Sequence, residues 1–345
     1  MNTTLIDKIT YLTALAEQIH TDKKIQIAKE RAEGANPFFT KAFIESALVG
    51  IASWLEKSKL ENWIADYPFL NKEYTPKKVA IIMAGNIPLV GFHDFLCLYL
   101  TNHFIQIKTS SKDDFLFRAV LDKLCELDTN LATRVTLLER LTDFDAVIAT
   151  GSDNSFRYFE YYFKNKPSLL RKNRNSVAIL TGEETDEELE KLGDDIFLYF
   201  GLGCRNVSKL YVQNEFDITR LFPRFEKYNW MHHHTKYMNN YDYHRAIYLL
   251  NQQAHLADEK IMIIESQLIS SPLSVVHYER FDEWNALDIK LNSQSNNIQC
   301  IVGGETTKKQ IQTDGIIPFG QSQFPTLSDF ADNVNTFLFL ESLND

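Results

Sequence analysis

The chain has 345 residues, 44% hydrophobic and 24% charged, enough to bury an ample core and to form two domains or one large α/β body. Its 46 acidic residues against 36 basic ones give a formal net charge of −10, which excludes a broad nucleic-acid-binding face but leaves room for a local basic pocket. The cysteines Cys97, Cys125, Cys204 and Cys300 contain no Cys-x-x-Cys pair, so neither a zinc ribbon nor a dithiol redox motif is present, and four cysteines in a chain this long do not suggest a disulfide framework.

The first 75 residues alternate polar and apolar at helical spacing, as in LIDKITYLTALAEQI and FIESALVGIASWLEKSKL. The opening MNTTLIDKIT lacks the basic and apolar segments of a secretory signal. No apolar run approaches the roughly 18 residues of a spanning helix, so no membrane span and a cytoplasmic setting are expected. From residue 78 the texture changes to strands alternating with helices. KVAIIMA, HFIQIKTS, DFDAVIATGS and NSVAIL read as strands, with FHDFLCLYLTN, DDFLFRAVLDKLCEL, NSFRYFEYYF and TDEELEKLGDDIFLYFG as the helices that follow them. Thr185 and Glu188 are spaced as a capping box for the last of these. Such alternation predicts βαβ units and a mainly parallel sheet, with ligands at the carboxyl ends of the strands. After the strand SKLYVQ, helices at DITRLFPRFEKY and YHRAIYLLNQQ mix with strands at KIMIIES, LSVVHYERF and IQCIVGG, predicting a second α/β lobe. The tail GIIPFGQSQFPTLSDFADNVNTFLFL gives a Pro/Gly loop and one or two further elements.

Several short stretches are candidates for chemistry. In YFGLGCRN, Gly201 and Gly203 flank the approach to Cys204, and such glycines admit a ligand or another backbone at close range. Arg205 and the local amides favour a thiolate, whereas a core cysteine would behave as a small hydrophobe. Cys97 and Cys125 lie on apolar helix faces and read as structural. Gly85-Asn86-Ile87-Pro88 is either a plain turn or a place where the Asn86 amide donates to an oxyanion together with the Cys204 backbone N–H. Lys108, Thr109, Ser110, Ser111 and Lys112 end a strand, as a solvated edge or as a ribose and phosphate site. Thr150-Gly151-Ser152 precedes a helix, where Ser152 serves as N-cap or the free N–H groups receive an anion. Glu183 and Glu184 are candidate general bases, but their place just before Thr185 favours charge at a helix start. His232, His233 and His234 are consecutive and share no single face, so no metal site is expected there.

Taken in order, these pieces resemble the aldehyde dehydrogenase superfamily, and more closely its acyl-CoA reductase family, which includes the fatty-acid reductase of bacterial luminescence. Asn86 and Pro88 are similar to its oxyanion Asn motif. Lys108-Thr109-Ser110 resembles its Lys-Pro-Ser cofactor segment with Thr109 in place of proline, and Thr150-Gly151-Ser152 its turn at the cofactor phosphates. GLGCRN is similar to its catalytic-cysteine loop, and GIIPFGQSQFP to its closing segment. The resemblance implies an aldehyde dehydrogenase-like α/β fold, with a Rossmann-type parallel-sheet cofactor domain and an α/β catalytic domain. The boundaries expected are 1–190 for the helical region and cofactor domain, 191–314 for the thiol domain, and 315–345 for the closing segment. Where aldehyde-oxidising members carry a water-activating Glu, this chain reads Arg171-Lys172-Asn173-Arg174-Asn175. A cysteine acyl-enzyme without that base hydrolyses slowly, which favours thioester reduction.

The function implied is NADPH-dependent reduction of an acyl-CoA to the aldehyde, with NADH as the other cofactor. Catalysis would fall to Cys204 and Asn86, and cofactor binding to Lys108, Ser110, Lys112, Thr150, Gly151 and Ser152. The alternatives are an NAD(P)-dependent aldehyde dehydrogenase, an acyl-phosphate reductase, or a non-redox acyl carrier. The superfamily's habit implies a homo-oligomer.

Overall fold

The computed structural model describes residues 3–151, 153–313 and 315–344, and the chain divides into two compact units. Unit 1 is Met1–Asn173 with Thr326–Asp345, and unit 2 is Arg174–Pro325. Unit 1 opens with the helices α1 (Leu5–Gln18), α2 (Lys23–Ala35), α3 (Lys41–Trp54) and α4 (Lys57–Ala65). There follow β1 (Lys78–Ile82), α5 (Phe92–Leu100), β2 (Phe104–Lys108), α6 (Asp114–Leu127), α7 (Leu131–Arg134) and β3 (Val135–Leu137). Then come β4 (Ala146–Thr150), α8 (Asp153–Phe163) and β5 (Ser168–Arg171). Among the described residues these strands form one parallel sheet in the order β3-β2-β1-β4-β5.

Successive strand residues point to opposite faces. Val79, Ile81, Ile105, Ile107 and Ile148 therefore join the core with helix residues such as Leu12, Leu96 and Val120. Ala80, Val147 and Ala149 face the other way, against Phe159 and Phe163. Strands covered on both faces read in sequence as unbroken apolar runs, which is how β1 and β4 read. The chain proceeds outward from β1 to β3, then resumes on the opposite side with β4 and β5. That reversal beside β1 is the topological switch point at which open α/β sheets bind ligands.

Unit 2 contains β6 (Asn175–Leu180), α9 (Asp186–Phe197), β7 (Val207–Gln213), α10 (Thr235–Leu250), β8 (Leu256–Ala257) and β9 (Met262–Glu265). It continues with β10 (Val275–Phe281), α11 (Trp284–Ser293), β11 (Ile298–Val302), α12 (Glu305–Gln310) and β12 (Ile316–Ile317). The sheet order is β12-β11-β6-β7-β10-β9-β8, parallel except for β8 against β9. The capping box of α9 forms: Thr185 Oγ1 accepts from the Glu188 N–H at 3.2 Å, and Glu188 accepts from the Thr185 N–H at 2.9 Å. The tail returns to unit 1 as α13 (Thr336–Glu341).

Three local differences from the sequence reading have physical causes. The short strands β3 and β5 are not signalled, because three or four half-polar residues carry no readable period. Ile218–His233, read in part as an α-helix, is a run of 3-10 turns with a kink at Phe225. Pro223 inside it has no N–H and crowds the preceding turn. Among the described residues no helix is long and apolar enough to cross a membrane.

The segment after β5 is fixed by a buried ion pair. Arg171, 2% exposed, donates through Nε and Nη2 to Asp94 of α5 at 2.9 and 2.7 Å, and Nη2 also reaches Thr336 Oγ1 at 2.8 Å. Burial raises the Asp94 pKa, but the Arg171 charge and hydrogen bonds outweigh it and hold the carboxyl below its ordinary value. Asp94→Ala should therefore cost about 3–5 kcal/mol, because it leaves the guanidinium buried without its counter-charge. Denaturant unfolding of the variant checks this, with an unchanged midpoint as the contrary result.

Candidate active site

Unit 1 gathers the first half of the candidate residues on one sheet edge. The strands β2, β1 and β4 are neighbours and parallel, so their carboxyl ends lie side by side. Gly85 to Leu89 leave β1, Lys108 to Lys112 leave β2, and Thr150 and Gly151 leave β4. Ser152 lies outside the described residues. The first two loops are in close contact: a Cβ on Gly85 would stand 2.4 Å from Ser110 Oγ and 3.1 Å from Lys112 Cβ. Gly85 thus serves the approach of two loops. Gly151 is equally tight, because a Cβ there would come within 2.8 Å of Ser155 and 2.9 Å of Phe159 on α8. Lys108 donates from Nζ to the Glu139 carbonyl, while Lys112 is exposed.

Unit 2 carries Cys204 on the turn between α9 and β7. Tyr199, Phe200 and Gly201 have φ of 54°, 57° and 75°, so the chain leaves the helix through consecutive left-handed residues. Two buried aromatic residues in that region are strained, and such strain persists only where surrounding contacts impose it. Here Phe200 packs against His234 at 4.4 Å and against Trp230 and Tyr237 at 5.6 Å between ring centroids. Gly201 is needed for its positive φ, and a Cβ there would also meet the Ile196 carbonyl at 3.2 Å.

Asn206, 2% exposed, fastens the turn from inside. Its Nδ2 donates to the carbonyls of Asp195, Ile196 and Leu198 at 3.1, 3.3 and 2.9 Å, satisfying the end of α9. Its Oδ1 accepts from the Gly203 N–H at 2.8 Å. Ser176 Oγ donates to the Cys204 carbonyl at 3.1 Å and contacts Cys300 Sγ at 2.9 Å. Cys204 itself is half-buried.

The other thiols are less suited to nucleophilic work. Burial pushes Cys300 up to about 11, against the opposing pull of Arg205 and Ser176, and pushes Cys125 up to about 11 as well. Cys97 is fully buried and also raised.

Asp195, buried near the end of α9, accepts from the N–H groups of Gly320 and Ser322 at 2.7 and 2.9 Å. The segment GIIPFGQSQFP is thereby laid against the helix that leads to Cys204. Burial pushes the Asp195 carboxyl up to about 6, with those two donors opposing. A small pocket shares Phe200, Gly201 and Val207 with the turn and is further lined by Ile196, Tyr237 and Val276 together with Ser208, Ser271 and Ser274.

The histidine run is structural in part. His234 Nδ1 accepts from the Tyr237 N–H at 3.2 Å and so caps α10. Among the described residues no group of three His, Cys, Asp or Glu side chains is arranged to hold a metal ion. Sequence reasoning missed Asn206, Ser176 and Asp195. Asn206, two residues beyond Cys204, carried the one local signal, as a side chain able to bond backbone groups near a chain reversal.

The fold has known counterparts. Indole-3-acetaldehyde dehydrogenase of P. syringae superposes with a TM-score of 0.66 at 13% identity, over 91% of this chain and 75% of that one. Glyceraldehyde-3-phosphate dehydrogenase of Methanocaldococcus jannaschii, solved with NADP, superposes with a TM-score of 0.64 at 14% identity, over 94% and 83%. The fold is that of the aldehyde dehydrogenases. Within it, the family described as acyl-CoA reductase (LuxC) matches residues 12–221, and the chain belongs to that family. Long-chain acyl-protein thioester reductase 2 of Photobacterium leiognathi is 23% identical over 227 residues, 60% of this chain and 47% of the relative. The corresponding reductase of Aliivibrio fischeri is 27% identical over 154 residues, 39% of this chain and 32% of the relative. Each match spans less than half of the relative's own length.

Proposed function

We propose that this protein reduces a long-chain acyl thioester to the aldehyde, with Cys204 as the nucleophile. The single observation that carries the reading is the Cys204 turn: a half-buried thiol on a strained, internally fastened loop, while the other cysteines are buried or raised. The Cys204 sulfur attacks the thioester carbonyl, and the carbonyl oxygen takes the negative charge. Asn86 Nδ2 and the Cys204 N–H are the donors for that oxyanion. The C–S bond of the substrate then breaks, its thiol leaves with a proton, and the acyl group remains on Cys204.

The carboxyl edge of the first sheet would hold a reduced nicotinamide dinucleotide, which would supply hydride to the acyl group on Cys204. The donor set there fits a nucleotide: hydroxyls of Thr109, Ser110, Ser111 and Thr150 beside two lysines, at a switch point. Lys112 and Lys108 are the residues for a 2′-phosphate, which makes NADPH the cofactor proposed over NADH. Lys108 would have to give up the Glu139 carbonyl to take part. Ser152 keeps its proposed place in this set. Asn86 holds the second oxyanion as it held the first, and its collapse releases aldehyde and restores the Cys204 thiolate. Arg171, whose segment stands where aldehyde-oxidising relatives carry an acid, is committed to Asp94. With no carboxylate in that segment to activate water, the acyl-enzyme persists until reduced.

The thiol that carries the acyl group is CoA in the first reading. A protein thiol is the second, favoured by the names of the two luminescent-bacterium relatives. The test is NADPH oxidation and aldehyde formation with palmitoyl-CoA, and no turnover with any acyl thioester would overturn the reading. Asn86→Ala should lower kcat on the order of 100-fold, the usual cost of one oxyanion donor. Near-full activity in that variant would remove Asn86 from the mechanism.

A further inference from the structure

One buried acid lies just behind the Asn86 turn and has no part in the reaction as described. Asp113, 6% exposed, sits directly before α6. Its Oδ2 accepts from the Leu89 N–H at 2.6 Å, and its Oδ1 is buried with no hydrogen-bond partner among the described residues. Its own N–H donates to the Ser110 carbonyl at 3.0 Å, so it belongs to the loop against which Gly85 is pressed.

Leu89 is held in an unusual shape. It is buried, with φ 57°, a conformation that a branched side chain rarely adopts. Its carbonyl accepts from the Phe92 N–H at 2.9 Å, which starts α5. Leu89 is therefore the pivot between Asn86-Ile87-Pro88 and the helix. Carrying a carboxyl oxygen unpaired in the interior is costly, and a residue chosen only for packing would not incur it. Burial pushes this carboxyl up to about 8, assisted by Asp114 and opposed by the Leu89 N–H, so at neutral pH it is largely uncharged.

We propose that Asp113 is a positioning residue for Asn86: its carboxyl fixes Leu89 in the left-handed conformation and thereby sets where the Asn86 amide points. The inference rests on Asn86 being the oxyanion donor. It assigns Asp113 no contact with substrate or cofactor.

The test is a double-mutant cycle on the full chain, with palmitoyl-CoA and NADPH as the probes and aldehyde as the readout. Asp113→Ala should lower kcat on the order of 10-fold with KM for palmitoyl-CoA little changed, because a small misplacement of a catalytic group is costly. In the Asn86→Ala background the same change should cost less than about 2-fold, since the group it positions is gone. Asp113→Asn keeps an oxygen for the Leu89 N–H and should recover most of the loss. Equal losses in both backgrounds would overturn the proposal, as would a fall in melting temperature with kcat intact. If the alanine variant does not fold, Asp113→Asn decides alone: a loss as large as that of Asn86→Ala would refute the role of the Leu89 contact. Near-full activity in Asn86→Ala itself would instead bring down the oxyanion reading, and this proposal with it.

Discussion

Alanine at position 204 should abolish aldehyde formation while leaving the fold intact. The reaction proposed passes through a covalent bond to sulfur, and no neighbouring group replaces it. Cys300, the other thiol in contact with Ser176, is 8% exposed and raised to about 11, so it holds little thiolate at neutral pH. The expected loss is at least about 10⁴-fold in kcat, as for removal of a nucleophile elsewhere. Stability should change by no more than about 0.5 kcal/mol, because Cys204 is half-buried and the turn is fastened by the Asn206 and Ser176 side chains. Initial rates and a thermal melt together check this. Residual turnover near the wild-type rate would place the chemistry elsewhere, and loss of the fold would mean that the thiol is structural.

Asn206→Ala should be nearly as damaging to activity, by a different route. The side chain donates to three carbonyls at the end of α9 and accepts from the Gly203 N–H. Alanine leaves those groups buried without partners, at about 1–3 kcal/mol for each unsatisfied group that water cannot reach. Partial repair by water and relaxation makes about 2–4 kcal/mol a reasonable total. The left-handed residues Tyr199 and Phe200 would lose one of the contacts that impose their conformation, and Cys204 would no longer sit on a fixed turn. Activity should fall on the order of 100-fold at temperatures where the variant is still folded. Denaturant unfolding and single-turnover rates separate the two effects. A variant with wild-type stability and rate would show that Asn206 neither fastens the helix end nor places the thiol.

Much of the architecture was readable because its strands are buried on both faces. KVAIIMA and DAVIATG advertise themselves as apolar runs ended by turn residues, and parallel order then follows from the intervening helices. The same order puts Asn86, Lys108, Ser110, Lys112, Thr150 and Gly151 at one sheet edge on sequence grounds alone. The short strands β3 and β5 were silent, and Pro223 turned an apparent helix into 3-10 turns. Contacts that define the sites were illegible for a further reason. Asp94 and Arg171 pair across 77 positions, and Asp195 meets Ser322 across 127. Local pattern carries no information about such partners. Tyr199, Phe200 and Leu89 go against local preference altogether, since nothing in an aromatic or a leucine announces a positive φ. Their conformation is imposed by tertiary packing and by side chains such as Asp113.

The measurement that bears most directly on the function is intact-protein mass spectrometry after incubation with palmitoyl-CoA and no NADPH, followed by digestion to locate the added mass. One acyl group on Cys204, lost on adding NADPH as aldehyde appears, is the result expected of a thioester reductase that works through this turn. No adduct on Cys204 with acyl thioesters of several chain lengths would contradict it.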